Sequence, residues 1–285
     1  MNKIRLDHQL NPIEMRILEE VTRIAKENSI DCIVVGAMAR DILLTHLYGM
    51  PVQRATADVD FAVAVQNWEE FEMLKNILLQ VPKFHPSPQH VYRLHYKHDT
   101  ESESIGYPFD LVPYGGVEDQ HGQIHWPPDM DIMMNVSAYS EVLSAADEIQ
   151  ISDGLTVKVA SLPGLTVLKL FAWVDRGSTT AKDALDLRFI WENYAEAGNY
   201  PRIYDQHYDL LEGLNHDLTL AGIWLLAGDV RNLVSGSMVE HMLKLLQDEG
   251  RKDKLIQNML GQNRDAGAFE KMENMIEQFI NGLKG

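Results

Sequence analysis

Two aspartates two residues apart at the mouth of an otherwise apolar strand constrain this chain more than any other feature. The stretch runs from Arg54 to Val65, "RATADVDFAVAV". Strand alternation puts Val59, Phe61, Val63 and Val65 on one face and Asp58, Asp60, Ala62 and Ala64 on the other. The first face is core, and the second carries two carboxylates followed by small side chains that leave space beside them. Residues i and i+2 of a strand lie about 6.6 Å apart, and two unit charges at that distance repel by roughly 2 to 3 kcal/mol at an effective dielectric near 20. Something must compensate: protonation, a basic partner or a divalent cation.

Composition narrows the setting. A chain of 285 residues holds one large domain or two modest ones. The opening "MNKIRLDHQLNPIEMR" lacks the apolar run of a signal peptide, and the longest late apolar patch, "LTLAGIWLLAGDV", is interrupted by Asp229. The expectation is a soluble, cytoplasmic protein with no membrane partner. The single cysteine, Cys32, excludes an internal disulfide and a cysteine zinc site, and its place in "CIVV" marks it as a core thiol. A net charge of −17 argues against a broad, sequence-blind nucleic-acid surface, while leaving room for a local basic channel.

Asn11-Pro-Ile-Glu14 is a helix start with a capping box and proline at the first position, opening a helix from Pro12 to about Asn28. "IDCIVV" (Ile30 to Val35) reads as a buried strand running into Gly36-Ala37, and "MARDILLTHLYG" as the helix that follows and stops at Gly49. The Asp58 strand comes next, then a helix opened by Asn67-x-x-Glu70 and closed before Pro82. "HVYRLHYK" (His90 to Lys97), "SIGYPFDLVPYG" (Ser104 to Gly115) and "LTVKVA" (Leu155 to Ala160) are further strands. Between the last two, "GGVEDQHGQIHWPPDMD" is a loop long enough for a short hairpin. From Ser161 onward the segments are helical and rich in leucine, with the Leu and Met stripes of residues 216 to 281 spaced as bundle core. The domain boundary is placed near residue 160, giving segments 1–160 and 161–285, and the fold class expected is α+β: a small mixed-sheet domain followed by an all-helical one.

The strand "YPFDLV" carries a lone acid, Asp110, on the face opposite Phe109 and Leu111. Laid beside the Asp58 strand, it brings a third carboxylate to the same face. Three clustered acids bind hard divalent cations, and magnesium ions commonly organise phosphoryl transfer onto an attacking oxygen. The Gly36-Ala37 turn supplies the complement, because a glycine at a helix N-terminus lets backbone N–H groups approach phosphate. Arg40, one turn further, is placed to reach phosphate or to pair with Asp41. The strand His90–Lys97 puts Arg93, His95 and Lys97 on one face; next to the acids such a face would contact nucleotide or RNA phosphate, and an edge strand blunted with charge, the reading preferred, gives the same pattern. The histidines at 85, 90, 95 and 98 lack zinc-site spacing and are read as incidental.

"VVGAMARD", then "TADVDFAV", then the acid in "FDLV" resemble the nucleotidyltransferase superfamily of the DNA polymerase beta type, whose pattern is hydrophobic-Gly-Gly/Ser, a spacer, Asp-x-Asp/Glu and a third Asp. Ala37 stands at the second position of that turn and leaves only backbone contacts to phosphate. "PGLTVLKLFAWVDRGSTTAKDALDLRFI" resembles more narrowly the AbiEii-type nucleotidyltransferase-like toxins, in which a helical lysine and a later aspartate border the nucleotide site; Lys169 and Asp186 match those positions, and Lys169 is equally placed to bridge Asp183 or Asp186 across two helices. The resemblance implies that Asp58, Asp60 and Asp110 are catalytic and hold Mg2+ or Mn2+, and that Gly36, Ala37, Lys169 and Asp186 bind the NTP, with Arg40 added by its place one turn after Gly36. It further implies an RNA acceptor, with tRNA 3′ ends in view, and a cognate antitoxin. The competing readings are a small-molecule adenylyltransferase of the antibiotic-modifying kind and a catalytically silent nucleotide-binding protein.

Overall fold

Asn11 begins the first helix by the means its sequence announces. Its side chain accepts from the Ile13 N–H, the Glu14 carboxylate accepts from the Asn11 N–H, and helix α1 runs Pro12–Glu27. The computed structural model describes residues 4–5, 10–51, 58–97, 106–262 and 265–285. The first two residues of the predicted Ser104–Gly115 strand, and His98, lie outside the described residues. The chain divides into two compact units, Met1–Ser161 and Leu162–Gly285.

The first unit is built on an eight-stranded mixed sheet. Its strands are β1 (Ile4–Arg5), β2 (Cys32–Val35), β3 (Val59–Val65), β4 (Phe84–Pro86), β5 (Arg93–Tyr96), β6 (Tyr107–Gly115), β9 (Asp147–Ser152) and β10 (Leu155–Val159), in spatial order β1-β9-β10-β2-β3-β6-β5-β4. The loop that allowed a hairpin contains one, β7 (Gln123–His125) against β8 (Met133–Asn135). β3 pairs antiparallel with β2 and parallel with β6, and β6 pairs antiparallel with β5. β3 buries Val59, Phe61, Val63 and Val65 as its alternation requires, and Ala62 is also buried on the other face. The Cys32 residue keeps some exposure, yet burial pushes its thiol up to about 12, which keeps it from acting as a thiolate at neutral pH.

After β2, helix α2 (Gly36–Arg40) passes directly into a wider π-helical stretch, Asp41–Leu47. Helix α3 (Trp68–Leu78) is capped by the Asn67 side chain on the Glu70 N–H, but Glu70 reaches back to the Gln66 N–H rather than to Asn67 itself. Short helix α4 (Tyr139–Ser144) precedes β9.

The second unit contains helices α5 (Leu162–Arg176), α6 (Lys182–Asn193), α7 (Tyr200–Gln206), α8 (Tyr208–Gly213), α9 (Leu218–Leu233), α10 (Gly236–Gln247), α11 (Glu249–Leu260) and α12 (Ala266–Lys284), with no strand among its described residues. Its core takes the predicted stripe, including Met242, Leu246, Ile256, Met259, Met275 and Phe279. Phe279 stacks on Trp191 at 4.4 Å. Gly282 sits so close to the Trp224 carbonyl of α9 that a β-carbon there would overlap it, which fixes how near α12 lies to α9. Asp229, the charge that interrupts the apolar α9 sequence, accepts two bonds from Arg202 (2.8 and 2.7 Å) and one from the Tyr194 hydroxyl (2.5 Å). Among the described residues no helix is long and apolar enough to cross a membrane. The structure therefore shows the expected α+β class, a mixed sheet unit followed by a helical one.

Candidate active site

The register of four neighbouring strands writes the site out as a row. Val35 of β2 lies opposite Asp60 of β3, Asp60 opposite Asp110 of β6, and Asp110 opposite Arg93 of β5. Asp58 stands two residues before Asp60, on the same face by strand alternation. One carboxylate oxygen from each of Asp58, Asp60 and Asp110 lies within 4.8 Å of the others. At that spacing each pair of charges repels by about 3 kcal/mol for an effective dielectric near 20. The row is a place where positive charge is needed.

Gly36 closes the end of the row. Its φ of +68° is a left-handed conformation that residues with a β-carbon adopt at a cost, and a β-carbon built there would overlap the Asp60 carboxylate. Two independent requirements thus select glycine where β2 turns into α2, and both serve to keep the turn against the acid. Glu14 braces the same region from behind, because its second carboxylate oxygen accepts from the Tyr107 hydroxyl at the start of β6 (2.9 Å).

Of the three ways to compensate the acids, the structure shows a basic partner. Arg93 donates Nε to Asp110 Oδ1 at 2.6 Å, Nη2 to Asp110 Oδ2 at 2.9 Å, and Nη2 also to Asp58 Oδ2 at 3.1 Å. Burial raises the Asp110 pKa, and the hydrogen bonds and charge of Arg93 oppose that rise without cancelling it. The Arg93 guanidinium is raised in turn, chiefly by its bond to Asp110.

Sequence reasoning placed Arg93 on a basic face, against phosphate or at a sheet edge, and missed its pairing with Asp110 and Asp58. The edge-strand expectation for His90–Lys97 is corrected by the sheet order: β5 lies between β6 and β4, and its Arg93 meets the acid row. His95 is buried in the sheet, with its pKa lowered first by that burial. The signal available was a cation alternating with apolar residues one strand before Asp110; only the pairing of β5 with β6 gives it meaning.

The remaining candidates fall elsewhere. Ala37 is buried immediately after Gly36. Arg40 is 1% exposed and donates Nε (2.8 Å) and Nη2 (2.5 Å) to Asp41, so the expectation that it reaches phosphate gives way to the alternative pairing with its neighbour. In the helical unit, Lys169 is buried between Asp183 (3.0 Å) and Asp186 (2.7 Å), and Arg176 also grips Asp183 at 2.7 and 3.0 Å. Burial lowers the Lys169 pKa, but the two carboxylates outweigh it and the net shift is upward.

A chain with these parts in this order is a nucleotidyltransferase. It belongs to the AbiEii family, described as "Nucleotidyl transferase AbiEii toxin, Type IV TA system", which residues 16–284 match. No curated protein matches it. Among solved structures, the antibiotic-resistance factor ANT(2'')-Ia is similar at 13% identity over 73% of this chain and 99% of that one, with a TM-score of 0.40. An antigenic nucleotidyltransferase-like protein from Paracoccidioides brasiliensis is similar at 14% identity over 72% and 92%, TM-score 0.41. A CCA-adding enzyme in complex with ATP is similar at 13% identity over 92% and 66%, TM-score 0.33.

Proposed function

We propose that the chain transfers a nucleoside monophosphate from an NTP to an acceptor hydroxyl in a reaction that depends on magnesium or manganese. The observation that carries this is the convergence of Asp58, Asp60 and Asp110 within 4.8 Å, on a row that ends at the Gly36 turn. The donor set fits a hard divalent cation: all carboxylate oxygen, close enough to share an ion, with glycine holding open the space against Asp60. Bound metal supplies charge neutralisation on the triphosphate and acidifies the attacking hydroxyl. In this reading Asp58 and Asp60 hold the metal, and Asp110 joins them as ligand and accepts the hydroxyl proton. The acceptor oxygen bonds to the α-phosphorus as the bond to the β-phosphate oxygen breaks, and pyrophosphate leaves. Gly36 and Ala37 seat the triphosphate through backbone N–H groups. By the family resemblance Lys169 and Asp186 are the nucleotide-binding candidates of the helical segment 161–285; a Lys169→Ala variant that loses nucleotide affinity supports that role, and one that loses stability alone makes the cluster with Asp183 a structural bridge.

The acceptor proposed is an RNA 3′ end, tRNA included, in a cytoplasmic toxin setting restrained by a cognate antitoxin. The family's description as the toxin of a type IV toxin–antitoxin system supports the toxin setting, and the RNA acceptor rests on the sequence resemblance. The net charge of −17 favours the second reading, a small-molecule acceptor. Incubation with each α-labelled NTP, magnesium and total RNA, resolved on a gel, separates them. Label in an RNA band is the expected result, label in a small molecule supports the second reading, and no metal-dependent pyrophosphate release would identify a silent nucleotide-binding protein.

A further inference from the structure

We propose that Arg93 is an exchangeable counter-ion of the acid row, bound to Asp110 and Asp58 when the row holds no metal and releasing at least Asp58 when a divalent cation enters. The inference rests on the metal-site reading above and adds a competitor to it. Arg93 and a cation would compete for the same carboxylates: three hydrogen bonds from the guanidinium engage both oxygens of Asp110 and one of Asp58. A divalent cation and a guanidinium on the same carboxylates repel each other, so each weakens the other's hold on the acids.

The contact is built to be broken on one side. The bond to Asp58 is the longest of the three, and Asp58 and Arg93 keep 31% and 25% of their side-chain surface exposed, whereas Asp110 keeps 11%. The backbone of β5 is held to β6 by its own register, Leu94 against Phe109 and Tyr96 against Tyr107, so the strand needs no help from the guanidinium. Arg93 also lines a depression of about 210 Å³ together with Pro86, Gln89, His90 and Lys75, which gives a displaced side chain somewhere to go. Lys75 shares that space and makes it a poor seat for a second cation. A doubly charged competitor on the carboxylates is therefore needed to drive the exchange, and sodium should not do it.

The test is calorimetric titration of the full chain with MnCl2 or MgCl2 at constant ionic strength, together with metal-free melting. Arg93→Met keeps the apolar stem and removes the donors. It should bind metal at least tenfold more tightly than wild type, while its metal-free melting temperature falls because the acids lose their counter-charge. Arg93→Lys, which cannot form the fork, should show an intermediate gain and covers the case in which Arg93→Met does not fold. Sodium in place of the divalent salt should give no heat in any variant. Unchanged or weaker metal binding in the variants, with wild type binding normally, would overturn the exchange and leave Arg93 a fixed structural cation. No metal binding by wild type or variants would overturn the metal site itself, and the exchange with it.

Discussion

Asp60→Asn is expected to lower metal-dependent nucleotidyl transfer at least ~1,000-fold, a loss of about 4 kcal/mol of transition-state stabilisation. Asp60 is the central acid of the row, in register with Val35 on one side and Asp110 on the other, and its carboxylate is what the Gly36 turn makes room for. The amide keeps the shape and one oxygen, so the strand survives. Removing one of three clustered negative charges also relieves repulsion. The metal-free melting temperature should accordingly change little, while the rise in melting temperature on adding magnesium shrinks, as for any ligand that binds only the folded state. Turnover and melting measured with and without metal check both halves. A variant that keeps its full metal response would show that the acids are structural.

The second large effect is on stability and lies in the helical unit. Lys169→Ala should destabilise the protein by roughly 3 to 5 kcal/mol, because it removes the ammonium that two buried carboxylates share and leaves them facing each other across a cavity. Asp183 retains Arg176, which softens the loss on that side. Lys169→Met with Asp186→Asn should recover part of the stability, since it empties the cluster of charge instead of unbalancing it. Chemical denaturation of the single and double variants gives the numbers. The opposite pattern, unchanged stability with nucleotide affinity reduced tenfold or more, would assign Lys169 to the triphosphate.

The parts of this architecture that follow from local rules were legible before any coordinates. The Asn11 capping box, the alternation that separates Phe61 from Asp60, and the opposite facing of Asp110 and Phe109 depend only on residues a few positions apart. What escaped depends on pairing between distant segments. Arg93 reads as edge-strand charge until β5 is known to lie inside the sheet, and β9, "DEIQIS", carries acidic and polar residues that strands usually avoid, so that only its pairing between β1 and β10 declares it. Arg40 shows the reverse failure. Its position one turn after Gly36 suggested phosphate, but the side chain turns into the core, where the adjacent Asp41 meets it. Lys169 sat between two readings in the sequence because helical spacing alone cannot say that Asp183 and Asp186 both come within hydrogen-bonding distance of it.

The central claim is that Asp58, Asp60 and Asp110 share a divalent cation. Crystals grown with manganese and a non-hydrolysable NTP analogue test it directly through the anomalous signal of the metal. The account predicts a manganese peak about 2 Å from carboxylate oxygens of these aspartates, the triphosphate against the Gly36 turn, and Arg93 withdrawn from Asp58. Ordered nucleotide with no metal on the three acids, and Arg93 still bridging Asp110 and Asp58, would contradict it.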